Sequence, residues 1–143
     1  MMQTIHATAV AIEDHGVLLC GPSGVGKSDL ALRLIDSGAV LVADDRVEIR
    51  CDTDVLMVHC PAAIGGKLEV RGIGILTLPY VSPVTIEMIV SLVPPEEIER
   101  LPVYESMVLL GKSVRKLALT PFEASAPAKL RSAVNAAIRT SGS

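Results

Sequence analysis

The residues best suited to chemistry form one run, Gly21-Pro22-Ser23-Gly24-Val25-Gly26-Lys27-Ser28. Its spacing is G-x-x-x-x-G-K-[ST], and it lies between an apolar run at 17–20 and an amphipathic run at 28–37. A strand turning sharply into a helix is the context that gives this pattern its meaning. Gly21, Gly24 and Gly26 let the backbone adopt φ > 0 and bring N–H groups onto phosphate oxygens with no Cβ in the way. The helix start adds unpaired N–H groups and the positive end of its dipole. Lys27 reaches the β- and γ-phosphates, and the Ser28 hydroxyl gives an oxygen to Mg²⁺. The alternative is a plain glycine turn, which has no need of Lys-Ser in register. The run therefore implies ATP with Mg²⁺ and phosphoryl transfer.

Asp44-Asp45 close the next apolar run, residues 39–43. The strand after a P-loop helix commonly lies parallel to the P-loop strand, so its carboxyl end arrives beside the phosphates. Adjacent side chains of an extended chain point to opposite sides, so the two carboxylates take different roles. One faces the metal or the core. The other faces the γ-phosphate and an incoming hydroxyl, as a general base would. Which does which is open at this point, and an acidic turn balanced by Arg46 is the plainer alternative. Asp52 and Asp54 read as turn formers. His6 comes opposite the glycine loop if the first hairpin folds about residues 14–16; a structural strand histidine is the alternative. Glu69 and Arg71 stand two residues apart on one side of a strand-like run, ahead of Gly72 and Gly74. Glu69 suits Mg²⁺ as an oxygen ligand and Arg71 suits phosphate, against the alternative of an exposed ion pair.

Positioning these groups takes a scaffold of strands and few helices. Residues 4–12 alternate and lead through a turn at 13–16 to the apolar 17–20, a hairpin feeding the glycine loop. Leu30, Ala31, Leu34 and Ile35 make one face of a helix over 28–37, stopped by Gly38. Strands over 47–51 and 55–60 flank a turn at 52–54, and 61–67 is a flexible connection. Residues 68–78 read as one strand bulged at its glycines, 85–93 as another strand, and 94–102 as a polar loop or single helical turn. Residues 103–119 are ambiguous, and 127–139 read as a helix with Pro127 at its start.

The chain has 143 residues, half of them apolar, with one Phe, two Tyr and no Trp. Val, Ile, Leu and Ala must form the interior of one compact α/β unit, which suits a sheet covered by helices. A net charge of −3 gives no basis for nucleic-acid binding. The mean hydropathy of +0.48 is high, yet the longest uncharged stretch, 72–86, contains Pro79 and Pro83 and falls short of the roughly 18 residues a span requires. The first residues lack the basic-then-apolar order of a signal peptide. The expectation is a cytoplasmic protein with no membrane partner, its surplus apolar surface used in contacts between copies. Cys20, Cys51 and Cys60 lack zinc-ligand spacing and are expected as buried thiols.

His6, the run at 21–28, V-A-D-D-R-V-E-I at 42–49 and L-E-V-R-G-I-G-I at 68–75 together resemble the catalytic domain of the HPr kinase/phosphorylase family. The last segment is similar to that family's own signature, which ordinary P-loop proteins lack. The resemblance covers residues 4 to about 120 and is strongest through 78. It implies an α/β, P-loop NTPase-like (PEP carboxykinase-like) fold, a mixed sheet with flanking helices in a single catalytic domain over 1–143. It implies an ATP- and Mg²⁺-dependent kinase for a serine of HPr or an HPr-like phosphocarrier of the phosphotransferase system, phosphorolysis in many members, and homo-oligomers, typically hexamers. On matching positions it makes His6, Lys27, Asp45 and Arg100 active-site residues, with Ser28 and Glu69 holding Mg²⁺. It assigns Asp45, rather than Asp44, as proton acceptor in phosphorylation and donor in the reverse.

Two departures qualify what the resemblance implies. The family's usual amino-terminal domain is expected to be missing. Its P-V-R-P-G-R-N loop, tied to dephosphorylation, corresponds here to Thr120-Pro121-Phe122-Glu123-Ala124-Ser125, with no arginine and an added acid. That change argues against phosphorylase activity. A GTPase would need a base-reading Asn/Thr-Lys-x-Asp motif, and the one Asn is Asn135. A small-molecule P-loop kinase usually brings an arginine-rich lid, of which only Arg100 and Arg115 are candidates. A non-catalytic ATP-binding sensor has no use for a base at Asp45.

Overall fold

The computed structural model describes residues 1–140. In chain order the elements are β1 (Met2–Ile5), β2 (Thr8–Ile12), β3 (His15–Cys20), α1 (Lys27–Asp36), β4 (Val40–Ala43), β5 (Val47–Asp52), β6 (Val55–His59), β7 (Lys67–Val70), β8 (Gly74–Thr77), β9 (Val84–Leu92), β10 (Glu105–Leu109), β11 (Lys112–Leu119) and α2 (Ala126–Thr140). Short 3-10 turns occupy Ala62–Ile64 and Pro95–Glu97. Side chains of a strand alternate between faces, and here both faces of the central strands are apolar. Val10, Ile12, Val17 and Leu19 join the cluster beneath α1 and α2. Ala9, Ala11 and Leu18, between them in sequence, join a second cluster on the opposite face. Aliphatic side chains thus build both cores.

The main sheet has nine strands in the order β1-β5-β6-β9-β3-β2-β4, with β11 also on β9 and β10 outside it. β9 is parallel to β3 and β11, and the remaining ladders are antiparallel, so the sheet is mixed. β4 runs in the same direction as the P-loop strand β3, as expected, but antiparallel β2 is inserted between them. Three hairpins close through two-residue turns with φ > 0 at both positions: Glu13-Asp14, Thr53-Asp54 and Leu110-Gly111. Such turns match the right-handed twist of the strands they join.

Several sequence expectations shift. The first turn is Glu13-Asp14 alone, and His15 and Gly16 belong to β3. Residues 68–78 are two antiparallel strands, β7 and β8, not one bulged strand. Gly72 at φ 88° turns the chain back, and Ile73 N–H donates to Val70 O at 3.0 Å. Arg71 therefore lies in the turn rather than beside Glu69 on a strand. The ambiguous 103–119 stretch is the β10–β11 hairpin, whose Val108 is exposed and whose pattern carries no clean period of two. The cysteines are half-buried rather than fully enclosed.

Helix α1 ends in a Schellman motif: Ala39 N–H donates to Leu34 O and Gly38 N–H to Ile35 O, both at 3.0 Å. From α2, Arg131 Nη2 reaches Leu34 O at 3.0 Å and Ser37 Oγ at 2.7 Å, pinning the two helices together at that end. Among the described residues no helix is long and apolar enough to cross a membrane. The tightest approach inside the sheet is at Gly16, where a Cβ would lie 2.7 Å from Thr85 O and 2.9 Å from Val84 Cγ2. Gly16→Ala is accordingly expected to lower stability by about 1–3 kcal/mol through overpacking. Urea denaturation checks this; an unchanged midpoint would contradict the packing.

Candidate active site

The glycine run takes the chain from β3 into α1 as the sequence implies. Gly24 and Gly26 have φ 82° and 113°. Gly26 is the N-cap of α1 and offers no side chain to cap it, so the first-turn N–H groups of the helix stay available to an anion. Lys27 is only 8% exposed. Its Nζ donates to Gly21 O at 2.7 Å and Pro22 O at 3.1 Å, which satisfies the buried ammonium and holds it across the loop. Cys20, just before the loop, has its thiol pushed up by burial, partly countered by Lys27 and Lys116. It stays protonated at neutral pH.

Asp44 is the best-connected polar side chain of the site. It is 8% exposed. Its Oδ1 accepts from Thr8 Oγ1 at 2.9 Å and from Ser28 Oγ at 2.8 Å, and its Oδ2 accepts from Glu69 N–H at 3.1 Å. One carboxylate thereby ties together β2, α1, the end of β4 and β7. A hydroxyl that gives its proton to Asp44 keeps its lone pairs free, so Ser28 could serve a metal as a ligand.

Asp45 goes the other way. A three-residue turn, closed by Arg46 N–H to Asp44 O at 2.9 Å, puts Asp45 at φ 75°. That conformation is rare for a residue with a Cβ and is held by its surroundings. The turn swings Asp45 out of the sheet, and its Oδ1 lies 2.8 Å from His6 Nε2, with the two side chains 65% and 57% exposed. An ion pair that open contributes little to stability. The β2–β3 ladder ends at Thr8 opposite Leu19, which brings His6 past the end of β3 to the glycine loop.

These groups line a cleft of about 580 Å³ that includes His6, Thr8, Lys27, Ser28, Asp44, Asp45, Glu69 and Arg71. Ser23, Gly24 and Gly26 also line it, whereas Val25 turns inward against the core beneath the helices. Arg100 does not line it; it stands exposed in the bend after the second 3-10 turn. Among the described residues no three His, Cys, Asp or Glu are grouped to hold a metal unaided. Mg²⁺ keeps several waters and binds through one or two protein oxygens plus substrate phosphates. Ser28 Oγ, bonded to Asp44, and the carboxylate of Glu69, whose own N–H is bonded to Asp44, could supply such oxygens.

The model of the HPr Serine kinase C-terminal domain matches residues 1–140. The chain belongs to that family. It is 38% identical over 148 residues to the HPr kinase/phosphorylase of Bordetella pertussis, an overlap of 95% of this chain and 47% of the relative. Against the HPr kinase/phosphorylase of Burkholderia lata it is 37% identical over 147 residues, 95% of this chain and 45% of the relative. The chain thus spans about half the length of the curated relatives it matches. The solved Hpr(Ser) kinase/phosphatase from Coxiella burnetii superposes with a TM-score of 0.86 at 32% identity, covering 98% of this chain and 93% of that one.

In this HPr serine kinase C-terminal domain, sequence reasoning missed three contributors. Thr8 reads as one more residue of an alternating strand, yet its buried hydroxyl supports Asp44. Asp29 and Arg33 pair along α1, and Arg33 also holds Pro121 O and Glu123 O across the molecule. Phe122 is treated in the sequence only as part of a loop lacking arginine, but it lines the cleft. An i,i+4 spacing signalled Asp29–Arg33; nothing local signalled the others. Thr8→Val keeps the shape and removes the hydroxyl, so it should cost about 1.5–3 kcal/mol, the range for a hydrogen bond to a charged group. Thr8→Ser should lose less. Equal midpoints for Thr8→Val and the parent in denaturant would show the bond to be dispensable.

Proposed function

We propose that this domain is an ATP- and Mg²⁺-dependent protein serine kinase acting on HPr or an HPr-like phosphocarrier of a phosphotransferase system. The observation that carries the reading is Asp45, an exposed carboxylate at the mouth of a P-loop cleft, held by His6 at 2.8 Å and turned away from buried Asp44. The glycine loop and first-turn N–H groups bind the phosphates, and Lys27 swings from its loop carbonyls onto the β- and γ-oxygens. Ser28 and Glu69 would hold Mg²⁺, which would supply charge neutralisation. Asp45 accepts the proton of the acceptor serine as its oxygen bonds to the γ-phosphorus and the bond to ADP breaks. His6 orients that carboxylate. Arg71, at the cleft, neutralises transferred charge, and Arg100 is an exposed cation available to a docked acceptor.

The kinship with HPr kinase/phosphorylases supports HPr as the acceptor class, and the P-loop supports ATP as donor. With such substrates the protein works in the cytoplasm. Homo-oligomers, hexamers by family resemblance, belong to the same reading, supported by the exposed apolar run of Leu101, Val103, Tyr104 and Val108. Phosphorolysis is not part of it. The stretch 120–125, where the family's basic loop would lie, carries no arginine to receive inorganic phosphate, and its one charged residue, Glu123, is paired with Lys129 at 2.7 Å.

Incubation with ATP, Mg²⁺ and HPr-like carriers should yield acid-stable phosphoserine. Asp45→Asn should reduce transfer by roughly 10²–10⁴-fold, the usual contribution of a general base, while ATP binding survives. Equal transfer by parent and variant would exclude Asp45 as the base, and nucleotide binding without transfer to any carrier would favour a sensor. Phosphoserine carrier placed in inorganic phosphate should release little pyrophosphate; rapid phosphorolysis would overturn the kinase-only reading.

A further inference from the structure

Phe122 is the one Phe of the chain, and it is 69% exposed. An isolated exposed aromatic ring on a loose loop would call for no explanation, but this loop is fixed. Arg33 donates to the carbonyls on either side of Phe122, those of Pro121 and Glu123, and is itself held by Asp29 at 3.0 Å. Glu123 is tied down by Lys129. Between these anchors the ring lies directly on the P-loop: a Cβ on Gly26 would fall 2.8 Å from Phe122 Cζ. The backbone is rigid on both sides, the ring is seated on glycine, and much of its surface is left open to the cleft it lines.

Its place within the cleft is specific. Asp45 and His6 are carried by the ends of strands, on the side assigned to the γ-phosphate. Phe122 is bound through Arg33 and Asp29 to the first turns of α1 and lies over Gly26, within the same cleft; a nucleotide whose phosphates sat in the P-loop would have its base within reach of the ring. We propose that Phe122 is the stacking platform for the nucleotide base, so that the loop at 120–125 binds a planar purine instead of inorganic phosphate. A rigid aromatic ring loses little entropy on binding, and every base has a π-face to set against it. The loop that departs from its family's basic pattern thereby acquires a different ligand.

This inference rests on the nucleotide-binding reading above, and the test separates the two. The probes are ATP and inorganic tripolyphosphate, each with Mg²⁺, titrated calorimetrically into the full chain. Tripolyphosphate carries the phosphates without a base. Phe122→Ala should weaken ATP about tenfold, within the range for loss of one base–aromatic stack, and leave tripolyphosphate unchanged. Because the chain has no Trp, Phe122→Trp adds a single reporter, whose fluorescence ATP should quench and tripolyphosphate should not. If Phe122→Ala weakens both ligands equally, or neither, and the Trp signal ignores ATP, the stacking role is wrong while nucleotide binding stands. If the parent protein binds neither ligand, the nucleotide reading itself fails. Thermal melting of both variants identifies any misfolded sample, and the Trp variant decides the matter if the Ala variant is unstable.

Discussion

A carboxylate withdrawn from water needs donors for its oxygens, and hydrogen bonds to a charged group contribute roughly 1.5–3 kcal/mol each. Asp44 satisfies this demand with three groups from three separate parts of the chain: Thr8, Ser28 and the backbone of Glu69. The constraint works in both directions. Asp44 is stable in its buried position only if β2, α1 and β7 converge on it, and those elements are held in register at the cleft because it is there. The phosphate-facing end of the molecule depends on this arrangement. The glycine loop alone could bind an anion, but the orientation of Ser28 and the approach of Glu69 come from the carboxylate behind them.

The same end of the sheet shows how adjacent residues of one type are made chemically distinct. Asp44 is enclosed and fully engaged; Asp45, one peptide later, is turned into solvent by a strained three-residue turn and meets His6. One is taken up with structure, the other is left open at the mouth of the cleft. Charge is sorted in a similar manner around the P-loop. Among the described residues Lys27 rests on loop carbonyls with no carboxylate partner, so an anion reaching it would have no ion pair to break. Arg33 is occupied with Asp29 and two carbonyls, which spends its guanidinium on shaping the 120–125 loop.

The β7–β8 hairpin is anchored at its base. Leu68 is fully buried against the helices and the Glu69 N–H is bonded to Asp44, whereas Ile73 and Ile75 near its tip are exposed. The anchored base fixes the Glu69 backbone at the cleft, while the tip presents apolar surface.

Much of this was legible in the residues alone. The P-loop, the helix and its glycine stop, the hairpin at 52–54 and the aliphatic strands are written in short-range chemistry, because turn geometry, helix periodicity and phosphate binding by backbone N–H groups depend on neighbours in sequence. The resemblance of 42–49 and 68–75 to a known family added roles for His6, Asp45 and Glu69. What only the tertiary structure decided are the long-range matters: β2 inserted between β3 and β4, the hairpin in place of one bulged strand at 68–78, Thr8 behind Asp44, Arg100 outside the cleft, and Phe122 seated on Gly26. Each depends on groups dozens of residues apart meeting within bonding distance, and no local pattern encodes which distant partner a buried hydroxyl or an exposed ring will find.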